Sequence, residues 1–168
     1  MLRITIDTNC INARQRDTSL NELEERARAS EFELTATAVM LDELDRDLTT
    51  LGQARREKAA RLPIAHSGFM IGYSTVGGHD VIGGPDAYRH VDAIAPFVRP
   101  GTRWDDLDTN TQRDIMHLSA HMTYGWDIFV SRDGEILAAA DALLKELGLR
   151  VMTPEDALAL VLQSSREK

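Results

Sequence analysis

Met1-Leu2-Arg3-Ile4-Thr5-Ile6-Asp7-Thr8-Asn9 opens the chain, and the rest of the fold is organised around it. Ile4 and Ile6 flank Thr5 in a short apolar, β-branched run, which predicts a buried strand at the start. The run stops at Asp7, and the Thr8 and Asn9 that follow are turn formers. A carboxylate at the C-terminal tip of a first strand lies where open α/β sheets place their ligands, in the crevice outside the strand ends. The competing reading makes Asp7 and Asn9 caps of the next helix. Three further acids decide between the two.

Outward from this strand, helical and extended stretches alternate. Ser19 or Asn21 caps a helix to about Ser30, with Leu20, Leu23 and Ala27 at helical spacing. Residues 32–36 read as a second strand. Thr37 caps a second helix with an inward stripe of Val39, Met40, Leu44 and Leu48, and this helix carries Asp42, Glu43 and Asp47. Residues 51–61 are helix-prone and basic through Arg55, Arg56, Lys58 and Arg61, either a solvated face or a patch for a nucleic-acid backbone. Asp108, Thr109 or Asn110 caps a helix to about Tyr124 with the stripe Ile115, Leu118 and Met122. Trp126-Asp127-Ile128-Phe129-Val130-Ser131 is the clearest strand, ended by Arg132-Asp133-Gly134. A helix over 135–147 stops at Gly148, residues 149–152 form a last strand, and Thr153-Pro154-Glu155 opens a terminal helix. This alternation predicts an α/β fold: a central parallel sheet covered by helices on both faces, with right-handed crossovers.

Between Leu62 and Trp104 the composition shifts to glycine and proline. We read 62–104 as an elaboration at the sheet's edge or over its crevice, within a single domain spanning 1–168. A hairpin of 69–73 with 79–82 around Gly77-Gly78, and a short helix over 86–95 begun by Pro85, are expected there. His66, His79 and His90 lack the close paired spacing of a zinc site and read as surface or packing residues.

The bulk numbers exclude several classes. The 168 residues suit one domain, and 43% apolar with 27% charged content is ordinary for a globular protein. No run of about 18 apolar residues predicts a membrane span, and no signal peptide is visible, so a cytoplasmic protein is expected. Cys10, the single cysteine, cannot form an intrachain disulfide and reads as a small buried hydrophobe behind Asp7. A net charge of −8 argues against coating nucleic acid by charge alone, but not against an enzyme that holds cations in an acidic pocket.

The crossover from Asp114 to Asp133 brings the acids together. The helix from near Asn110 travels roughly 15 Å beyond Asp114, at about 1.5 Å per residue. The strand returns a similar distance at about 3.3 Å per residue. Asp114 and Asp133 therefore meet at the strand's C-terminal end, level with Asp7 if the strands are parallel. Glu43 lies about six residues past its cap, but helical side chains lean back toward the N-terminus, so a long glutamate reaches. Asp42 points to another face, and Asp47 is a turn farther away. Four carboxylates in one crevice repel each other unless a divalent cation sits among them. Oxygen donors of this kind suit Mg²⁺ or Mn²⁺, and two ions about 4 Å apart activate a water and stabilise the leaving oxygen of a phosphodiester.

Ile4-Thr5-Ile6-Asp7-Thr8-Asn9, Leu41-Asp42-Glu43-Leu44, the run Asp114 to Ala120, and Phe129-Val130-Ser131-Arg132-Asp133 together resemble the PIN-domain ribonucleases, as does the closing 151–155. The resemblance covers both ends of the chain but not 62–110. It implies a three-layer α/β/α sandwich whose acids bind Mg²⁺ or Mn²⁺ to cleave single-stranded RNA. Asp7, Glu43, Asp114 and Asp133 are then the metal-binding catalytic set, with Asn9 and Ser131 as polar supports. It also implies VapC-like toxins as relatives, with an antitoxin protein and a homodimer as partners. His117, three residues past Asp114, borders such a site and is placed to meet a phosphate, and Glu135 adds a nearby acid. Asp127 begins its strand at the opposite edge. The sequence thus points to a metal-dependent endoribonuclease. The alternative is a non-catalytic PIN-like module that binds RNA or protein. A receiver-type phosphotransfer domain wants a lysine after a late strand, whereas Lys145 falls within a helix.

Overall fold

A computed structural model describes residues 1–11, 17–66, 78–79 and 88–166. Five strands form one parallel sheet: β1 (Arg3–Ile6), β2 (Glu33–Thr37), β3 (Ile64–Ala65), β4 (Ile128–Val130) and β5 (Val151–Met152), in the order β3-β2-β1-β4-β5. After β1 the chain moves outward to β2 and β3, then returns to the other side of β1 for β4 and β5. The reversal lies between β1 and β4, the position at which doubly wound sheets open a crevice beyond their carboxyl ends.

Helices cover both faces. The strand alternation sends Ile4, Ile6, Leu34, Ala36, Ile128 and Val130 into one core, with Leu20 and Leu23 of α2 (Thr18–Arg28) and Ala157 and Val161 of α9 (Pro154–Arg166). Phe129 and Val151 enter the second core. There they meet α5 (Val91–Val98), α6 (Thr109–Thr123), α7 (Gly134–Ala138) and α8 (Ala140–Leu147). α1 (Thr8–Ile11), α3 (Ala38–Asp45) and α4 (Thr50–Ala59) complete the set. This is the expected three-layer arrangement. Among the described residues no helix is long and apolar enough to cross a membrane.

One expected cap is displaced: α2 begins at Thr18 and is capped by Asp17, whose Oδ1 accepts from Leu20 N at 3.1 Å, so Ser19 and Asn21 lie inside the helix instead of capping it. The other caps follow the sequence. The hydroxyl of Thr37 accepts from Met40 N, Asp108 accepts from Asn110 N and Thr111 N, and Thr153 accepts from Asp156 N. Gly148 ends α8 at φ +69°, a conformation that favours glycine.

Three further expectations need correction. The second helix stops at Asp45, so Leu48 does not join its inward stripe and is 90% exposed. Asp47 accepts from Thr49 N and Oγ1, and Thr49 in turn caps α4, so a side-chain-built turn displaces the continuing helix. The helix over 135–147 is two helices. Ala139 N bonds to both the Glu135 and Ile136 carbonyls, tightening the backbone at the break. Within 62–104, β3 is the sheet's edge strand, and α5 starts at Val91 and packs in the second core. The start of the expected helix at Pro85 and all of the expected hairpin except Gly78 and His79 lie outside the described residues.

Candidate functional site

The three central strands end level with one another. Thr5 pairs with Thr35 and Ile6 with Val130, so the next residues out are Thr37 on β2, Asp7 after β1 and Ser131 after β4. Asp7 N donates to the Val130 carbonyl at 2.9 Å, which carries the pairing one step beyond the strand. By the alternation of β1, Asp7 shares the face of Thr5, the face that α6 covers.

The helix α6 is seated on that face by two histidines. His121 Nδ1 lies 2.6 Å from Thr5 Oγ1, and His117 Nδ1 lies 2.5 Å from Thr37 Oγ1. One turn nearer the helix start is Asp114, about 4.5 Å farther along the axis at about 1.5 Å per residue. Since His117 is level with the strand ends, this step carries Asp114 past them and over the crevice. Thr5 and Thr37 make the seat possible, with Thr35 Oγ1 donating to Thr5 Oγ1 at 3.2 Å: an aliphatic residue at 5 or 37 would leave the Nδ1 atom of a buried imidazole without its partner.

Asp7 is 3% exposed and tightly held. Its Oδ2 accepts from Ser131 Oγ at 2.6 Å and from Asn9 Nδ2 at 2.8 Å. Ser131 also accepts from Asp133 N at 2.9 Å, so one hydroxyl fixes both the first and the fourth acid. The two supports expected from the sequence, Asn9 and Ser131, are therefore in contact with Asp7. Asp133 is at the same time the cap of α7, its Oδ1 accepting from Glu135 N and Ile136 N. Glu43 Oε2 accepts from the Thr8 hydroxyl and lies 3.3 Å from His117 Nε2. Among the described residues no hydrogen-bond partner reaches the Asp114 carboxylate.

The electrostatics bind these groups into one cluster. Burial pushes the Asp114 carboxyl up to about 7, with Asp7, Asp133 and Glu43 adding to the rise against the His117 charge. Burial, reinforced by Glu43, also raises Asp7 against His117 and the Ser131 bond. Burial opposes ionisation of Glu43 too, but the His117 bond and charge and the Thr8 hydroxyl outweigh it and hold Glu43 low. His117 is raised despite complete burial, because Glu43, Asp7 and Asp114 all face it. His121, without such neighbours, is pushed down to about 3 by burial and stays neutral. Cys10 is pushed up to about 12 by burial and by Asp7, so it is an inert thiol.

Asp114 thus feels the charges of Asp7, Glu43 and Asp133, and Asp7 feels that of Glu43. Among the described residues, no three His, Cys, Asp or Glu side chains stand as a ready-made set for a metal ion. The donor chemistry nonetheless fits a hard divalent cation: three aspartates and a glutamate, two of them made hard to ionise by burial and mutual repulsion.

Other expected residues lie apart. Glu135 turns its carboxylate to Arg99 at 2.6 Å. Asp127 accepts from Arg3 N at the opposite end of the sheet. The basic residues of α4 are matched by acids: Arg55 with Asp47, Arg56 with Asp45, and Lys58 with Glu24, which supports the solvated-face reading. His79 pairs with Asp45, and Asp42 accepts from His79 N. A cleft of about 510 Å³ lies around Phe32, Glu33 and Pro63, at the strands' amino ends and away from the acids. Thr8 reads in the sequence only as a turn former, and its bond to Glu43 is not foreseen there. Its signal was its place directly after Asp7, on the first turn of a helix whose start faces the crevice.

No protein-family model matches this chain, and no curated protein matches it.

Proposed function

We propose that the chain is a metal-dependent endoribonuclease that cleaves single-stranded RNA at phosphodiester bonds. The observation that carries this reading is the crowding of Asp7, Glu43, Asp114 and Asp133 at the switch point of a parallel sheet, with Asp114 pushed up to about 7 by burial and by the other three acids against the His117 charge. Mg²⁺ or Mn²⁺, when bound, supplies charge neutralisation and a water activated for attack on phosphorus. The protein's part is to hold the oxygens. Asn9 and Ser131 fix Asp7, Ser131 and the cap of α7 fix Asp133, Thr8 and His117 fix Glu43, and α6 carries Asp114 over the crevice. The acids repel an RNA backbone until the cation is present, so binding and chemistry are both gated by metal.

As for partners, RNA is the substrate, an antitoxin protein and a second copy of the chain are those that the resemblance to VapC-like toxins implies, and the compartment is cytoplasmic. A non-catalytic module is the second reading, favoured by the net charge of −8 and by the lack of a ready-made ion set among the described residues. Purified protein incubated with single-stranded RNA separates the two. The nuclease reading expects cleavage with Mn²⁺ or Mg²⁺ that stops on chelation with EDTA and resumes on re-addition. Intact RNA under all conditions supports the module.

A further inference from the structure

His117 is an unexpected presence in an acid site. It is 0% exposed, so its ring does not face a bound phosphate, the role that its sequence position suggested. Its contacts point elsewhere. Nε2 lies 3.3 Å from Glu43 Oε2 and 3.4 Å from Thr8 Oγ1, while Nδ1 lies 2.5 Å from Thr37 Oγ1. A glutamate carboxylate only accepts hydrogen bonds, so the donors facing Glu43 are the Nε2–H of His117 and the hydroxyl of Thr8. This holds for the neutral Nε2–H tautomer and for the imidazolium alike. Both contacts fall on Oε2. Among the described residues Oε1 takes no hydrogen bond. Glu43 stands on the second turn of α3, with several rotatable bonds between its backbone and the crevice, so its reach is useful only if something stops it from swinging.

We propose that His117 is a positioning residue for Glu43: with Thr8 it pins Oε2, and Thr37 sets the ring, so that the carboxylate is held in one orientation for a divalent cation that the acids would bind. The inference rests on the metal-dependent reading above. It assigns a metal-orienting role to a histidine that is not itself a ligand, in the manner of the outer hydrogen bonds that hold first ligands in place.

The test is Mn²⁺ binding by the full chain, measured by calorimetry and by the free-Mn²⁺ electron-spin signal. Four chains are compared: wild type, His117→Phe, His117→Gln and Asp7→Asn. Phenylalanine fills the ring's volume without a donor, whereas glutamine returns an N–H near the Nε2 position. The expected result is a Mn²⁺ affinity about 10–100-fold weaker in His117→Phe, restored to within a few-fold of wild type in His117→Gln. A merely structural ring predicts that the two variants track their thermal stability instead, with phenylalanine at least as good as glutamine. Should His117→Phe fail to fold, Thr8→Val removes the other bond to Oε2 at constant shape, and the same weakening is expected. Wild-type affinity in His117→Phe or Thr8→Val, or glutamine no better than phenylalanine, overturns the proposal while leaving the metal site standing, provided that Asp7→Asn loses Mn²⁺. If wild type binds no Mn²⁺ at all, the metal reading falls and takes this inference with it.

Discussion

Asp7→Asn is expected to lower metal-dependent RNA cleavage by about 10³-fold, the scale on which a fixed charge-stabilising group matters to a transition state. The fold should survive. The asparagine oxygen still accepts from Ser131 and Asn9, and the change removes a buried carboxylate that burial and Glu43 hold against ionisation. The apo variant is therefore expected to melt no lower than wild type at neutral pH, and circular dichroism should superpose. Ser131→Ala is the companion. It leaves Asp7 and Asp133 N without their shared hydroxyl, and its expected cost is about 10–100-fold in activity. A single-turnover cleavage assay with saturating Mn²⁺ reads both. Full activity in Asp7→Asn removes the catalytic assignment.

The second large effect is on stability, and its sign follows from the direction of each shift. Asp114 and Asp7 have raised carboxyls, so between the ordinary carboxylate range and neutrality the folded state binds more protons than the unfolded. Stability contributed by these groups falls as pH rises. His117 is also raised, which adds stability below the ordinary imidazole range that is lost as pH passes its folded value. Glu43 is lowered and acts only in acid, adding stability that disappears as pH falls below the ordinary glutamate range. The metal-free protein is thus expected to lose stability between about pH 5 and 8. At about 1.4 kcal/mol per pKa unit, the part of the Asp114 rise that lies above pH 5, halved for its partial exposure, amounts to about 1.4 kcal/mol, or about 3–6 °C in Tm for a domain of this size. Mn²⁺ at about 100 times its Kd should return about 2.7 kcal/mol at pH 8. Asp114→Asn should flatten the pH profile and abolish the response to metal. A wild-type Tm that rises from pH 5 to 8, or that ignores Mn²⁺, contradicts the electrostatic account.

Much of this architecture was legible because the decisive residues act locally. Ile4, Ile6 and Asp7 announce a strand and its end within four positions. Thr37, Asp108 and Thr153 cap helices through bonds only two or three residues long. The crossover geometry then places Asp114 and Asp133 from element lengths alone. The misreadings arose where local signals competed. Leu48 continues the helical period of Val39, Met40 and Leu44, yet Asp47 and Thr49 build a turn from their own side chains. β3 is two residues long, beyond the reach of any periodicity, and is identified by the Ala36 N to Pro63 O bond at 2.9 Å between strands distant in sequence. The role of His117 was illegible for a different reason. A histidine on the buried stripe of a helix looks the same in sequence whether it packs against carbon, as His121 does against Phe129, or faces a carboxylate. What separates the two is the opposite wall: Thr37 and Glu43 for His117, Thr5 and the aromatic rings for His121.

If four acids from separate parts of the chain share one cation site, removing any one of them must weaken the hold on the ion. The decisive experiment counts bound Mn²⁺ in the wild type and in Asp7→Asn, Glu43→Gln, Asp114→Asn and Asp133→Asn, each at the same protein and Mn²⁺ concentrations. Bound Mn²⁺ is expected in the wild type, with a loss in every one of the four variants. Wild-type binding in Glu43→Gln or Asp114→Asn, or none in the wild type itself, contradicts the shared site.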